Sequence, residues 1–174
     1  HLMGVMDSPE LRDAFNGNLP RMTQFYIDLS QNEALYGKYK AIAAGAGYAA
    51  LSAQKKRLLE HEMRDFRLSG ADLAADKKTE LKACGEKAAA LSQKFSENLL
   101  DATNAWTLDI TDEKELEGIP SGDKALMAQT AKAAGVDGWR ITLQYPIYLP
   151  VMKYAANRTL RETVYRAFVT RASE

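Results

Sequence analysis

A single cysteine, Cys84, stands in the sequence. One thiol closes no internal disulfide, so nothing points to an oxidising compartment and packing must hold the fold. Histidine is nearly as scarce: only His1 and His61 occur, which leaves little material for a histidine-based site. An excess of one charge is missing too, since 23 Lys and Arg balance 23 Asp and Glu. A nucleic-acid binder normally shows a basic surplus, so no nucleic-acid partner is expected. Long apolar runs are absent. The richest stretch, Ala41 to Ala50, is interrupted by glycines and is too short to span a bilayer. No signal peptide is visible, so a cytoplasmic location without a membrane partner is expected.

What remains is the composition of an ordinary globular protein. The 174 residues are 46% hydrophobic and 26% charged, enough for one domain with a core or for two small lobes. The first two-thirds reads as helix, about residues 5–104. Ser8-Pro9-Glu10 combines a cap, a first-turn proline and an acid at the positive end of the dipole. Asn16, Gly17, Asn18 and Pro20 predict a break. A second helical run carries Met22, Phe25, Tyr26 and Leu29, then Leu35, Tyr39 and Ile42, and stops at Gly45 and Gly47. Ser52 predicts the cap of a third helix to Leu68, with Leu59, Met63 and Phe66 inward and Ser69-Gly70 at its end.

The clearest pattern follows. Leu81, Cys84, Ala88, Leu91, Phe95, Leu99 and Ala102 are spaced 3, 4, 3, 4, 4 and 3 apart. This near-heptad seam predicts one long helix over about 76–104, paired antiparallel with its predecessor like a coiled coil. The pattern then changes for residues 105–145. Trp106 to Ile110 and Trp139 to Leu143 alternate apolar and polar residues as strands do. Between them lie a short helix near residues 111–118 and another from Ser121 to Ala134. Two closing helices are expected in 146–174, at about Ile147 to Ala156 and Thr159 to Ala172. The expected fold class is mainly α, with helical hairpins and a minor two-stranded β ribbon, in one region spanning 1–174.

The motifs that carry chemistry are few. Gly45-Ala46-Gly47 lacks the third glycine and the preceding strand of a phosphate loop, and no Gly-x-Ser-x-Gly elbow exists. Cys84 lies on an apolar helical seam, where a buried thiol acts as a small hydrophobe. His61-Glu62-Met63-Arg64-Asp65 reads His-Glu-x-x-Asp on a helix, one ligand short of the His-Glu-x-x-His zinc motif. Met63 and Phe66 belong to the core stripe there, and only His1 is left as a further histidine, so the segment is read as an ordinary helix face. The last helices carry Arg158, Arg161, Arg166 and Arg171. Pairing with Glu162 and Glu174 is the favoured reading, and a basic strip for peptide carboxylates the rival one. No catalytic, cofactor-binding or metal residue is assigned in this chain.

Leu143-Gln144-Tyr145-Pro146-Ile147-Tyr148-Leu149-Pro150-Val151-Met152-Lys153-Tyr154, then Asn157-Arg158, Leu160-Arg161-Glu162, Tyr165-Arg166-Ala167 and Thr170-Arg171-Ala172-Ser173, resemble a stretch of the thimet oligopeptidase and oligopeptidase A family. Ser8 to Asn16, Leu35-Tyr36, Arg64 to Gly70 and Phe95 to Thr103 resemble the same family in the same order. The resemblance implies a zinc metallopeptidase that cuts short peptides, built of two mostly helical halves around a channel. It places this segment in the N-terminal half, as part of the channel wall. It places the zinc motif downstream of Glu174, so no ligand carries over and the chain alone is expected to be inactive. The implied partners are the remainder of the same polypeptide and short peptides. The alternative is a free-standing helical interaction module. An apolar face around Tyr148, Tyr154 and Phe168 is also expected, one that would drive homodimerisation.

Overall fold

The computed structural model describes residues 2–173. They form two compact units, His1–Gln93 and Lys94–Glu174. The first unit opens with a single helical turn, α1 (Leu2–Val5), followed by α2 (Pro9–Ser30), α3 (Glu33–Ala44), a 3-10 turn (Ala46–Tyr48), α4 (Ala53–Leu68) and the first part of α5 (Ala75–Ala105).

The expected caps Ser8 and Ser52 are in place, and Asn32 supplies one that was not expected. The Ser8 hydroxyl accepts the Leu11 N–H at 3.2 Å, the Asn32 side chain accepts from Leu35 at 2.8 Å, and Ser52 accepts from Lys55 at 3.3 Å. The expected break at 16–20 does not occur: α2 continues through Pro20 to Ser30. Asn18, read as a turn former, instead donates its side-chain amide to the Ala14 carbonyl at 2.8 Å, inside the helix. The real break falls at Gln31-Asn32, where a cap starts α3. Helix α4 ends as expected, with Gly70 in the left-handed region (φ 90°) and the Ala71 N–H closing back on the Phe66 carbonyl at 3.0 Å.

The core of this unit is small. Tyr36, Phe66 and Ala71 are buried, flanked by Leu35, Tyr39 and Met63. Tyr36 stacks on Phe66 with centroids 5.4 Å apart. Thus α3 packs on α4, and the inner stripe of α4 is the expected one.

Helix α5 forms over nearly the expected span, but its seam is not packed as a coiled-coil pair. In the first unit Leu81 is 39% and Leu91 58% exposed, and Cys84 is exposed. Lys78, Lys82, Gly85 and Ala89 are among the half-buried positions. They too recur at 4, 3 and 4 residues. At 100° per residue their face lies about 110° around the helix from the leucine seam. The expectation of a buried Cys84 is therefore corrected. Periodicity located the stripe but not what covers it.

The second unit contains the end of α5, β1 (Thr107–Ile110), a 3-10 turn (Glu113–Leu116), α6 (Ser121–Ala133), β2 (Trp139–Thr142), α7 (Tyr145–Tyr154) and α8 (Arg158–Val169). The strands pair antiparallel, with Thr107 opposite Thr142 and Ile110 opposite Trp139. The ribbon therefore pairs internally. Asp109 and Arg140 face each other across it, joined by two hydrogen bonds of 2.7 and 2.8 Å. One apolar core gathers Ile110, Leu116, Met127, Ile141, Val151 and Val164, five of them fully enclosed. Helix α7 begins two residues earlier than expected, because Pro146 fits its first turn, where the missing N–H has no helical partner to lose. The Asn157 side chain caps α8 by accepting the Leu160 N–H at 3.1 Å.

Candidate functional site

The His-Glu-x-x-Asp segment lies on α4, as the sequence predicts. Asp65 is held by Arg64 at 2.9 and 2.8 Å, and Glu62 and Asp65 line a cavity that His61 does not line. The His61 Nε2 atom is buried without a hydrogen-bond partner. Among the described residues no group of three or more His, Cys, Asp or Glu side chains is placed to hold a metal ion. His1 and Glu174, weighed above as a ligand and an arginine partner, lie outside the described residues. These residues do not fit a zinc centre.

The concave surfaces are of another kind. In the first unit, α2, α3 and α4, with Gly85 of α5, line an open cavity of about 790 Å³. Tyr26, Leu29, Leu35, Tyr39 and Phe66 give it apolar walls, and Glu62 and Asp65 give it acidic edges. Behind that wall, the Tyr36 hydroxyl donates to Asp72 at 3.1 Å, and the Lys40 ammonium sits 4.2 Å from the Tyr36 ring centre. Burial first, and then the Asp72 carboxylate, raise the Tyr36 pKa above its ordinary 10.0. A neutral, hydrogen-bonded phenol here serves packing.

In the second unit a groove of about 590 Å³ is lined by Trp106, Leu143, Ala167 and Arg171 among others. Arg171 is fixed on three sides. Its Nε–H donates to the Phe168 carbonyl at 2.8 Å, its other arm donates to the Thr103 hydroxyl at 3.0 Å, and its guanidinium lies 3.6 Å from the Phe168 ring centre. Phe168 in turn stacks on Tyr148 at 3.9 Å. Burial is the main reason the Tyr148 pKa is raised. The backbone after Arg171 is unusual: Ala172 has φ of 56°, a conformation that costs a non-glycine residue energy. Arg166 pairs with Glu162 at 2.8 Å on the exposed side of α8, the ordinary arrangement. Of the expected apolar face around Tyr148, Tyr154 and Phe168, Tyr148 and Phe168 turn inward as a stack and Tyr154 remains exposed; Tyr145, Tyr165 and Val169, not part of that expectation, are exposed too.

Among the described residues, neither concavity is lined by histidine or cysteine. The chemistry they offer is apolar contact, the Glu62 and Asp65 carboxylates in the first and one fixed cation, Arg171, in the second, which suits confinement and docking. Sequence reasoning picked out the tyrosines and Arg171 but not their stack, which joins Tyr148 of α7 and Phe168 of α8 to Arg171 in the turn beyond α8 and had no local signal. The cavity among α2, α3 and α4 had no local signal.

The pattern of the neurolysin/thimet oligopeptidase N-terminal domain matches residues 1–78. Oligopeptidase A of Escherichia coli K12 is 40% identical over 174 residues, which is all of this chain and 26% of that protein. A probable cytosolic oligopeptidase A of Arabidopsis thaliana is 42% identical over 180 residues, covering 99% of this chain and 26% of that protein. Dipeptidyl carboxypeptidase of E. coli K12 is 29% identical over 165 residues. The chain spans about a quarter of the length of the relatives it matches.

Proposed function

From its kinship with the N-terminal portion of the thimet oligopeptidase family, we propose that this chain is the non-catalytic N-terminal region of a zinc-dependent oligopeptidase. Both of its units contribute to the wall that confines short peptides, in a cytoplasmic protein. The observation that carries this reading is the match along the whole chain to oligopeptidase A at 40% identity. The structural support is secondary: a small first-unit core, wide exposed apolar surface, and, among the described residues, two concave faces lined by neither histidine nor cysteine. In such a protein zinc would polarise the scissile carbonyl and activate water. The residues of this chain supply none of that chemistry and act by excluding and orienting. The remainder of the polypeptide and short peptides are its partners.

Metal analysis of the longer polypeptide that carries this chain tests the reading. About one zinc per molecule, with a His-Glu-x-x-His sequence in the reading frame beyond Glu174, is expected. A zinc-free protein whose frame ends near Glu174 would overturn it. That outcome would favour the second reading, a free-standing helical interaction module, for which the open seam of α5 is the specific support.

A further inference from the structure

The feature that packing within the chain leaves unexplained is the leucine seam of α5. We propose that its first-unit part, Leu81, Cys84, Ala88 and Leu91, is the docking strip for a helix from the portion of the polypeptide that the relatives possess beyond this chain's length. The inference rests on the oligopeptidase reading and names the surface through which that reading's partner attaches.

Three observations carry it. Helix α5 already has a packed side, and that side is poor in large apolar groups. Lys78, Lys82, Gly85 and Ala89 are half-buried, Lys78 pairs with Glu33, and a Cβ added at Gly85 would sit 3.4 Å from the Ile27 side chain. The helix thus meets its neighbours mainly through lysines and small residues; Leu81, 39% exposed, rests one side of its side chain on Gly70, and Leu91, 58% exposed, points elsewhere. A sequence that sets apolar residues at heptad spacing over three turns and leaves them in water forgoes the main gain of burying them.

Second, the strip is narrow. At 100° per residue, Leu81, Cys84, Ala88 and Leu91 span an arc of about 80°. Glu80 and Lys87 border it on one side, and the packed face with Lys78 and Lys82 lies on the other. That is the width that receives one helix in knobs-into-holes packing rather than a sheet or a broad surface.

Third, the occupant can be chosen. A second copy packed antiparallel about the centre of the strip would bring its Lys87 beside this one, and like charges at a seam oppose pairing. The relatives are about four times as long as this chain, which covers 26% of them, so their remaining length supplies ample helix. A partner helix with an acidic residue opposite Lys87 fits.

Cys84 lies inside the strip and is the only cysteine of this chain, so its thiol reports on the cover. Labelling with a disulfide reagent, followed by mass spectrometry of the peptide that contains Cys84, compares this chain with the longer polypeptide. In this chain the thiol is open and labels at the rate of an exposed cysteine. In the longer polypeptide labelling slows by roughly ten-fold or more, since a covered thiol reacts only on local opening. Leu91→Glu in the longer polypeptide restores the fast rate. Equal rates in the two proteins overturn the docking strip, while zinc content and peptide hydrolysis still decide the oligopeptidase reading. Protection that grows with concentration in this chain alone, together with a dimer in sedimentation, assigns the strip to a second copy and overturns it as well.

Discussion

Leu116→Ala is the sharpest test of how the second unit is held together. Leu116 ends a 3-10 turn and is 0% exposed, packed in the core that also contains Met127, Ile141, Val151 and Val164. Truncation removes three carbons from a site with no solvent access, leaving a cavity that neighbours from three helices and a strand close only in part. The expected loss is about 3 kcal/mol. Both tryptophans, Trp106 and Trp139, lie in this unit and pack against the same core, so their fluorescence reports its unfolding without interference from the first unit. With a urea slope of about 1.5 kcal/mol/M, the midpoint falls by roughly 2 M. Val169→Ala, on the same unit but 52% exposed, is the control and moves stability by no more than about 0.5 kcal/mol. A Leu116→Ala shift as small as the control's would refute the claim that this core is the unit's main source of stability.

Other consequences follow from particular contacts. Asn157→Ala removes the cap of α8 and costs about 1 kcal/mol, whereas Asn157→Ser keeps most of it; urea titration of each distinguishes them. Gly138 has φ of 95°, and a Cβ there would run into the Ile110 carbonyl. Gly138→Ala therefore destabilises the ribbon by about 2 kcal/mol or more, read as a lower melting temperature. The Asp109 carboxylate is held below its ordinary 3.8, chiefly by its hydrogen bond from Arg140. A depressed folded-state pKa stabilises the fold above the unfolded value and is lost as pH falls through the folded one. Asp109→Asn thus flattens the acid limb of the stability profile below about pH 4, which a titration of urea midpoints against pH detects.

Much of this fold was legible where local rules and tertiary packing agree. Ser8, Ser52 and Gly70 mark helix ends because capping is decided by a few neighbouring atoms. The strands at Trp106 to Ile110 and Trp139 to Leu143 showed their alternation, and internal pairing followed. Reading failed where local signals met a competing arrangement. Asn18 and Pro20 are turn formers on average, yet α2 passes through them because the Asn18 amide finds its carbonyl inside the helix. The Cys84 seam was seen, but periodicity shows only that a face is apolar, not whether this chain covers it. The Arg171, Phe168 and Tyr148 stack and the cavity among α2, α3 and α4 depend on residues far apart in sequence, and no local pattern announces such meetings. The His61 segment shows the reverse hazard: a near-motif whose aspartate is engaged by Arg64 and whose ring nitrogen is buried without a partner.

The measurement that bears most directly on the central claim is hydrolysis of a quenched fluorescent oligopeptide by this chain alone and by the longer polypeptide, each with added zinc and with a chelator. The account predicts chelator-sensitive cleavage by the longer polypeptide and none by this chain. Chelator-sensitive cleavage by this chain alone would contradict it, and would place a working metal site among residues, His61 and Asp65 first, that are assigned here to an ordinary helix.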